Sequence, residues 1–406
     1  MQKNLIKPFK KTALIAALLA EITVGAQAAI IDVDDNCTFQ DALESANTNA
    51  AVGGCVAGSD DDVINLPEGA LIELTETAVI DSNITINGNG STFQRELNSG
   101  SFRLFEVNEY LSANNFIARR GRDANNMGAG MSVMPGGFAD LSDCEFTENG
   151  GGAIHVNGYG GTFDNCLIHQ NWIDGVTDYS AGVTITGGTI GISNSTISAN
   201  STYSDTTGAG AVFINNQNGS ASLFLSNSTI FNNNTGYGAG AISIERASQN
   251  SNTIIYLVAS TVSQNMANDS GQVGGILNNG GLAYLYQSLI AGNVGDGVNE
   301  IMSNSGVMNV DNFNLVGFNN DSGIQGFTLG NSDFTPAEGS IGDIVAEKLS
   351  DSGGMTPTLT LPLNSPAIDA VTANCVINTD QTGKSRPLDG DNNGTAECDV
   401  GAFENE

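Results

Sequence analysis

Short runs of alternating apolar and polar residues recur down the middle of the chain, and one phrase returns six times. It reads LSDCEFTEN from Leu141, FDNCLIHQN from Phe163, ISNSTISAN from Ile192, LSNSTIFNN from Leu225, LVASTVSQN from Leu257 and LYQSLIAGN from Leu285. The starts are 22, 29, 33, 32 and 28 residues apart. A second phrase runs between the copies: GAGMSV at Gly128, GGAIHV at Gly151, SAGVTI at Ser180, GAGAVFI at Gly208, GAGAISI at Gly238 and VGGIL at Val273. Two short strands per repeat predict a solenoid. The apolar period is two, as in Ile192, Asn194, Thr196, and the Gly and Asn breaks tolerate left-handed turns, so the units are strands rather than helices. The unequal repeat length selects a parallel β-helix, whose coils stack about 4.8 Å apart while loops of any length leave the corners. Asn165, Asn194 and Asn227, with Asp143 one coil earlier, have two readings: a ladder of side-chain amides running from coil to coil, or plain turn formers.

The ends of the chain read differently. Lys3, Lys7, Lys10 and Lys11 precede a mostly apolar stretch from Thr12 to Val24, and Ala26-Gln27-Ala28 supplies a small-x-small cleavage site. Residues 1–28 are therefore expected to be a cleaved signal peptide, with the mature protein exported to the cell surface or medium. No later apolar stretch is long enough to cross a bilayer as a helix, so no transmembrane segment is expected. Residues 29–61 are predicted to cap the solenoid through a short amphipathic helix, Thr38 to Ala46, that buries Phe39, Ala42, Leu43 and Ala46, with Thr38 as its N-cap. The β-helix is expected over 62–355, with coils to about Val316 and loops thereafter, and a loop-rich segment over 356–406 closes the chain.

Composition narrows the function. Without the leader, 9 basic residues face 43 acidic ones, a net charge of −34. That excludes ordinary binding of nucleic acid through its phosphates and disfavours anionic lipid and polyanions. It suits a soluble exported protein in a salty medium. The six Cys all follow the leader and fall into three local pairs, so Cys37–Cys55, Cys144–Cys166 and Cys375–Cys398 are expected to be disulfides. Cys144 and Cys166 hold the same place in successive copies of the phrase. With no CxxC and only His155 and His169, a zinc site is not expected.

Both ends also carry a resemblance. CTFQDALESAN from Cys37, followed by Cys55 and DDVINLPEGALIEL, resembles the CSLREA-type motif that opens exported bacterial β-helix proteins, with Phe39-Gln40-Asp41 standing where that family has Leu-Arg-Glu. SPAIDA from Ser365, DQTGKSRP from Asp380 and CDVGAFE from Cys398 resemble the choice-of-anchor Q domain. The resemblance implies an exported, right-handed parallel β-helix of the pectate-lyase-like superfamily. It also implies, in many such proteins, a C-terminal sorting helix, which this chain is expected to lack.

Candidate chemistry is sparse. Lyases of this architecture need a strong base, often Arg or Lys, beside a neutralised uronate. The one basic cluster is Arg119-Arg120-Arg122, just after the strand Phe116-Ile117, and it reads as a groove lining or as a solvated corner. His155 alternates outward in Ala153-Ile154-His155-Val156 and reads as a surface residue or a general acid. Glu145 and Asp164 lie near it in the repeat register and keep a hydrolase in view. Asp389-Gly390-Asp391-Asn392-Asn393-Gly394 places Asp389, Asp391 and Asn393 at calcium-loop positions, although Val400 stands where such loops carry Glu. Calcium and an Asx-rich turn are both open; no other cofactor is expected. The favoured function is non-enzymatic: a secreted or cell-surface β-helix whose long face, lined by short polar residues such as Ser193, Ser226 and Thr184, binds glycans or surface components as an adhesin does. The alternative is a polysaccharide lyase or glycoside hydrolase. Nothing in the sequence fixes the oligomeric state.

Overall fold

The structure of the protein, a computed structural model, describes residues 28–175, 178–203, 208–216, 219–246 and 253–406; the expected leader, its last residue Ala28 apart, therefore lies outside the described residues. The chain winds into a right-handed parallel β-helix, the hand that parallel crossovers take almost without exception. One coil shows the plan. Strand Ile154–Val156 belongs to a ten-stranded sheet; Gly160–Asp164 and Leu167–His169 are two limbs of an eighteen-stranded sheet; Trp172–Asp174 belongs to a five-stranded sheet. Every strand pairs in parallel with the same strand of the next coil, as Phe163 with Ile192 and Leu225 with Leu257.

Two bends shape each coil, and the sequence supplies both. Asp143, Asn165, Asn194 and Asn227 adopt positive φ between the limbs of the long sheet, and Glu148, Gln170, Ala199 and Asn232 do so at the next corner. The residue after each bend points inward and joins a ladder. At the second corner the ladder is continuous: Asn149, Asn171, Asn200, Asn233, Asn265 and Asn293, the closing Asn of each phrase, are all buried. Asn200 Nδ2 donates to Asn233 Oδ1 at 2.9 Å and to the Ile168 carbonyl, and Asn171 N–H donates to Asn200 Oδ1. Glu300 receives Asn293 Nδ2 at 2.6 Å and ends the stack; burial pushes its carboxyl up to about 8 despite the three N–H donors that favour the anion. The first-corner asparagines serve mainly as turn formers. Their side-chain ladder is broken, reaching 3.4 Å between Asn227 and Asn194 and giving way to Ala259 in the next coil.

At the first corner the inward residue is Ser: each of Ser195, Ser228 and Ser260 accepts from the backbone N–H one coil before it, and Ser288 continues the series. Cys144 and Cys166 occupy this same column in the two preceding coils. They are buried thiols, not the bridge expected from their register. Side chains stacked on parallel in-register strands point the same way, so their Cβ atoms keep the rung spacing of about 4.8 Å, beyond the usual Cβ separation of a disulfide. Cys166 Sγ instead faces the Asp164 carbonyl at 3.4 Å, as Ser195 Oγ faces that of Ser193. Cys37–Cys55 and Cys375–Cys398 are bonded, with Cα atoms 4.7 Å and 5.9 Å apart.

The core is one narrow column: Leu141, Phe163, Ile192, Leu225, Leu257 and Leu285 on the first limb face Ile154, Val183, Val212 and Ile242 on the ten-stranded sheet. Helix Phe39–Thr48 plugs its N-terminal end; Thr38 Oγ1 accepts from Asp41 N–H, and Phe39 packs edge-on against Phe93 at 4.8 Å. After the last rungs the chain folds back. Residues 341–403 lie over the outer face of the second limb and form a separate apolar cluster of Leu289, Leu315, Leu359, Leu361, Val371 and Val400 with their neighbours. Gln381 fastens this flap to the coils, donating to Thr196 Oγ1 at 2.8 Å and accepting from Thr229 Oγ1 at 2.6 Å.

Candidate functional site

The flap covers the second limb from Thr196 onward and leaves the earlier coils open. The outward residues on that open stretch form two rows along the register, Gln94–Arg119–Thr147–His169 and Ile117–Glu145–Leu167. Arg119 Nε donates to Gln94 Oε1 at 3.1 Å, and Gln94 Nε2 donates on to Glu73. His169 Nε2 meets Glu145 Oε1 at 2.8 Å. Glu145 thus partners His169 rather than His155, and Asp164 accepts from Ser193 and Asn194 on the other limb.

Around the next bend the chemistry thickens. Arg120, held at φ 63°, pairs with Glu148 at 2.9 Å. Arg95 sits one rung earlier; its Nε donates to the Arg120 carbonyl and its Nη1 to the carbonyls of Glu96 and Ser99. The Arg122 guanidinium lies over the Trp172 ring at 4.3 Å from the centroid, a cation–π contact that fixes both. Arg95, Leu97, Arg120, Arg122, Glu148 and Trp172 line an open cavity of about 420 Å³. Burial and the neighbouring Arg95 lower the Arg122 pKa, and among the described residues no carboxylate forms an ion pair with it. The site is therefore electropositive in a strongly acidic protein. Four of the seven arginines, one of the two histidines and the single tryptophan gather here.

Of the sequence candidates, the structure brings Arg120 and Arg122 to one groove, leaves Arg119 on the second limb bonded to Gln94, and sets His155 apart. His155 alternates outward as read, but it is not at the surface: the segment carrying Tyr179 covers it, leaving it 5% exposed. Its ring meets Thr186 Oγ1 at 3.0 Å and Ser132 Oγ at 3.3 Å, and burial, reinforced by Arg103, lowers its pKa to about 4. Thr184 is likewise buried, its hydroxyl accepting from Ser180 N–H, so it is no part of a binding face. Ser193 and Ser226 do face outward on the first limb.

That limb carries a feature absent from the sequence expectations: Phe224, Tyr256 and Tyr284 stack face to face at 4.6 Å and 4.7 Å. Each stands immediately before a copy of the phrase, which is the signal that marks it. Trp172, Arg95 and Glu148 were also missed. Arg95 and Arg120 fall on adjacent rungs, and Glu148 and Trp172 flank bends of the repeat, so each was readable once the register was fixed.

In the flap, Asp389 and Asp391 converge with Asp369. Asn393 is not a third oxygen ligand beside Asp389 and Asp391: its Nδ2 donates to Asp391 Oδ2, and its Oδ1 accepts from Thr395 N–H within the loop.

No family model matches the chain, and no curated protein matches it. Among solved structures the chain is similar to that of the pectate lyase Pel9A, with 12% sequence identity and a TM-score of 0.47 over 94% of this chain and 98% of that one.

Proposed function

We propose that the protein is an exported, non-catalytic β-helix that binds an acidic glycan or similar surface polymer in the arginine–tryptophan groove. The observation that carries this reading is Arg122 laid on Trp172 beside Arg95: two guanidiniums that close no ion pair among the described residues, although Asp174 draws on Arg122, one of them over an aromatic floor. A guanidinium receives a sugar carboxylate through paired N–H donors, and the indole offers an apolar plate to the ring that bears it. Two disulfides fit an oxidising, extracytoplasmic setting.

A polysaccharide-cleaving enzyme is the second reading, and one contact favours it. The Glu145–His169 pair is partly exposed, with Glu145 one rung and His169 two rungs from Arg119, a carboxylate–imidazole couple close to a fixed cation.

A single set of assays separates the two. Purified protein is screened on arrayed acidic and neutral glycans, with product release followed in parallel. The binding reading expects retention on carboxylated polymers, lost in Trp172→Ala and Arg122→Ala, with no product. Product formation abolished by His169→Ala would replace it with the enzymatic reading. Binding confined to neutral polymers and unchanged in both groove variants would sink the assignment to this groove.

A further inference from the structure

The flap holds three carboxylates that nothing in the glycan groove uses. Asp369 lies in the SPAIDA turn with φ 50°, while Asp389 and Asp391 come from a loop twenty residues later. Each offers one oxygen, and these oxygens all lie within 4.8 Å of one another. Oxygens that share one calcium ion at about 2.4 Å can be no more than about 4.8 Å apart, so the spacing fits a common ligand.

The second observation concerns Asp369 itself. It is 8% exposed, its Oδ2 accepts from Asp391 N–H at 2.8 Å, and its Oδ1 is buried with no hydrogen-bond partner. An unpartnered carboxylate oxygen is costly to bury and needs a compensating cation or donor. The nearby buried Arg386 does not supply one: it is engaged by Glu404 at 3.4 Å and by the carbonyls of Asp399 and Gly401.

We propose that Asp369, Asp389 and Asp391 form a calcium site that ties the 389–394 loop to the turn docked on the solenoid. The all-oxygen donor set suits a hard cation and not zinc or copper. Calcium, with its flexible geometry, fits an irregular loop better than magnesium does. Gly390 is where the two segments touch, since a Cβ there would meet Ile368 Cγ2 at 2.9 Å. The ion therefore joins elements that are already packed, and its effect is to hold the flap shut.

Calorimetric titration of the whole protein with calcium tests this, in high salt to screen adsorption by the acidic surface. One saturable site is expected, with a dissociation constant of about 10⁻⁴ to 10⁻³ M, typical of extracellular modules. Asp369→Asn and Asp391→Asn should each weaken it by about tenfold or more, a loss of about 1.4 kcal/mol, while the exposed Asp296→Asn should leave it unchanged. Chelation should lower the melting temperature of the wild type and not that of Asp391→Asn. If Asp369→Asn fails to fold, the exposed Asp391→Asn decides alone. No saturable binding, or a site that survives Asp391→Asn, would overturn the proposal; the latter would place the ion elsewhere on the acidic surface.

Discussion

At the scale of single residues, the fold repeatedly buries polar groups and then satisfies them. His155 ties such burial to pH. In the unfolded chain it takes up a proton near its ordinary value of 6.5, but in the folded chain only near 4, because burial and Arg103 disfavour the cation against the weaker opposing pull of Asp123. The unfolded state thus binds more protons between these values, and stability is full above pH 6.5 and falls as pH drops toward 4. The gap corresponds to on the order of 3 kcal/mol. Thermal melts at about pH 7 and about pH 4.5, on either side of the ordinary histidine value, should show the wild type losing more stability than His155→Gln, and equal losses would contradict the burial. Only half of this residue's setting was legible beforehand: alternation turned it away from the core, while the covering loop is a tertiary contact without a local signature.

At the scale of the element, the repeat phrase was legible because every coil reuses the same geometry. Strand limbs, bends and core columns could be read from Leu141 to Asn293 by alignment alone. The ladder was harder to place. The asparagines of the two corners resemble each other in sequence, yet those of the first adopt positive φ, whereas those of the other point inward one residue after a positive-φ neighbour. Substitution should separate the roles. Asn200→Ala strands the Asn171 N–H and removes donors from Asn233 Oδ1 and the Ile168 carbonyl, so a loss of about 2–4 kcal/mol is expected in denaturant melts. Asn165→Gly keeps the left-handed backbone and sacrifices only a 3.2 Å contact to Asp143, so it should cost about 1 kcal/mol or less. Comparable losses at both sites would mean that the inner column is not what joins the coils. The same periodicity explains the thiol pair: a column that accepts Ser in later coils accepts Cys in earlier ones.

At the scale of the whole molecule, the flap was the least legible region. Its hydrogen-bond partners on the coils lie 82 to 186 residues away in sequence, and Thr196, Thr229 and Thr261 read as solvent-facing strand positions until something is laid over them. Gln381 reaches Thr196, Thr229, Thr356 and Thr358 at once. Gln381→Ala should therefore loosen residues 356–406 without unwinding the solenoid, seen as early proteolytic release of that segment while far-ultraviolet circular dichroism is unchanged; loss of strand signal at the same protease dose would instead make flap and rod one cooperative unit. The return of the chain also decides how the rod bears a pull. Ala402 N–H is held by Thr261 Oγ1 and Gly401 N–H by the Gln287 carbonyl, so tension applied at Phe403 enters the rod from the side, spread over several coils at once. Loaded in shear, these bonds must fail together, whereas strands drawn off a bare end would peel away singly. A pull on the tail is thus met by the side of the rod and not by its end, like a rope made fast amidships.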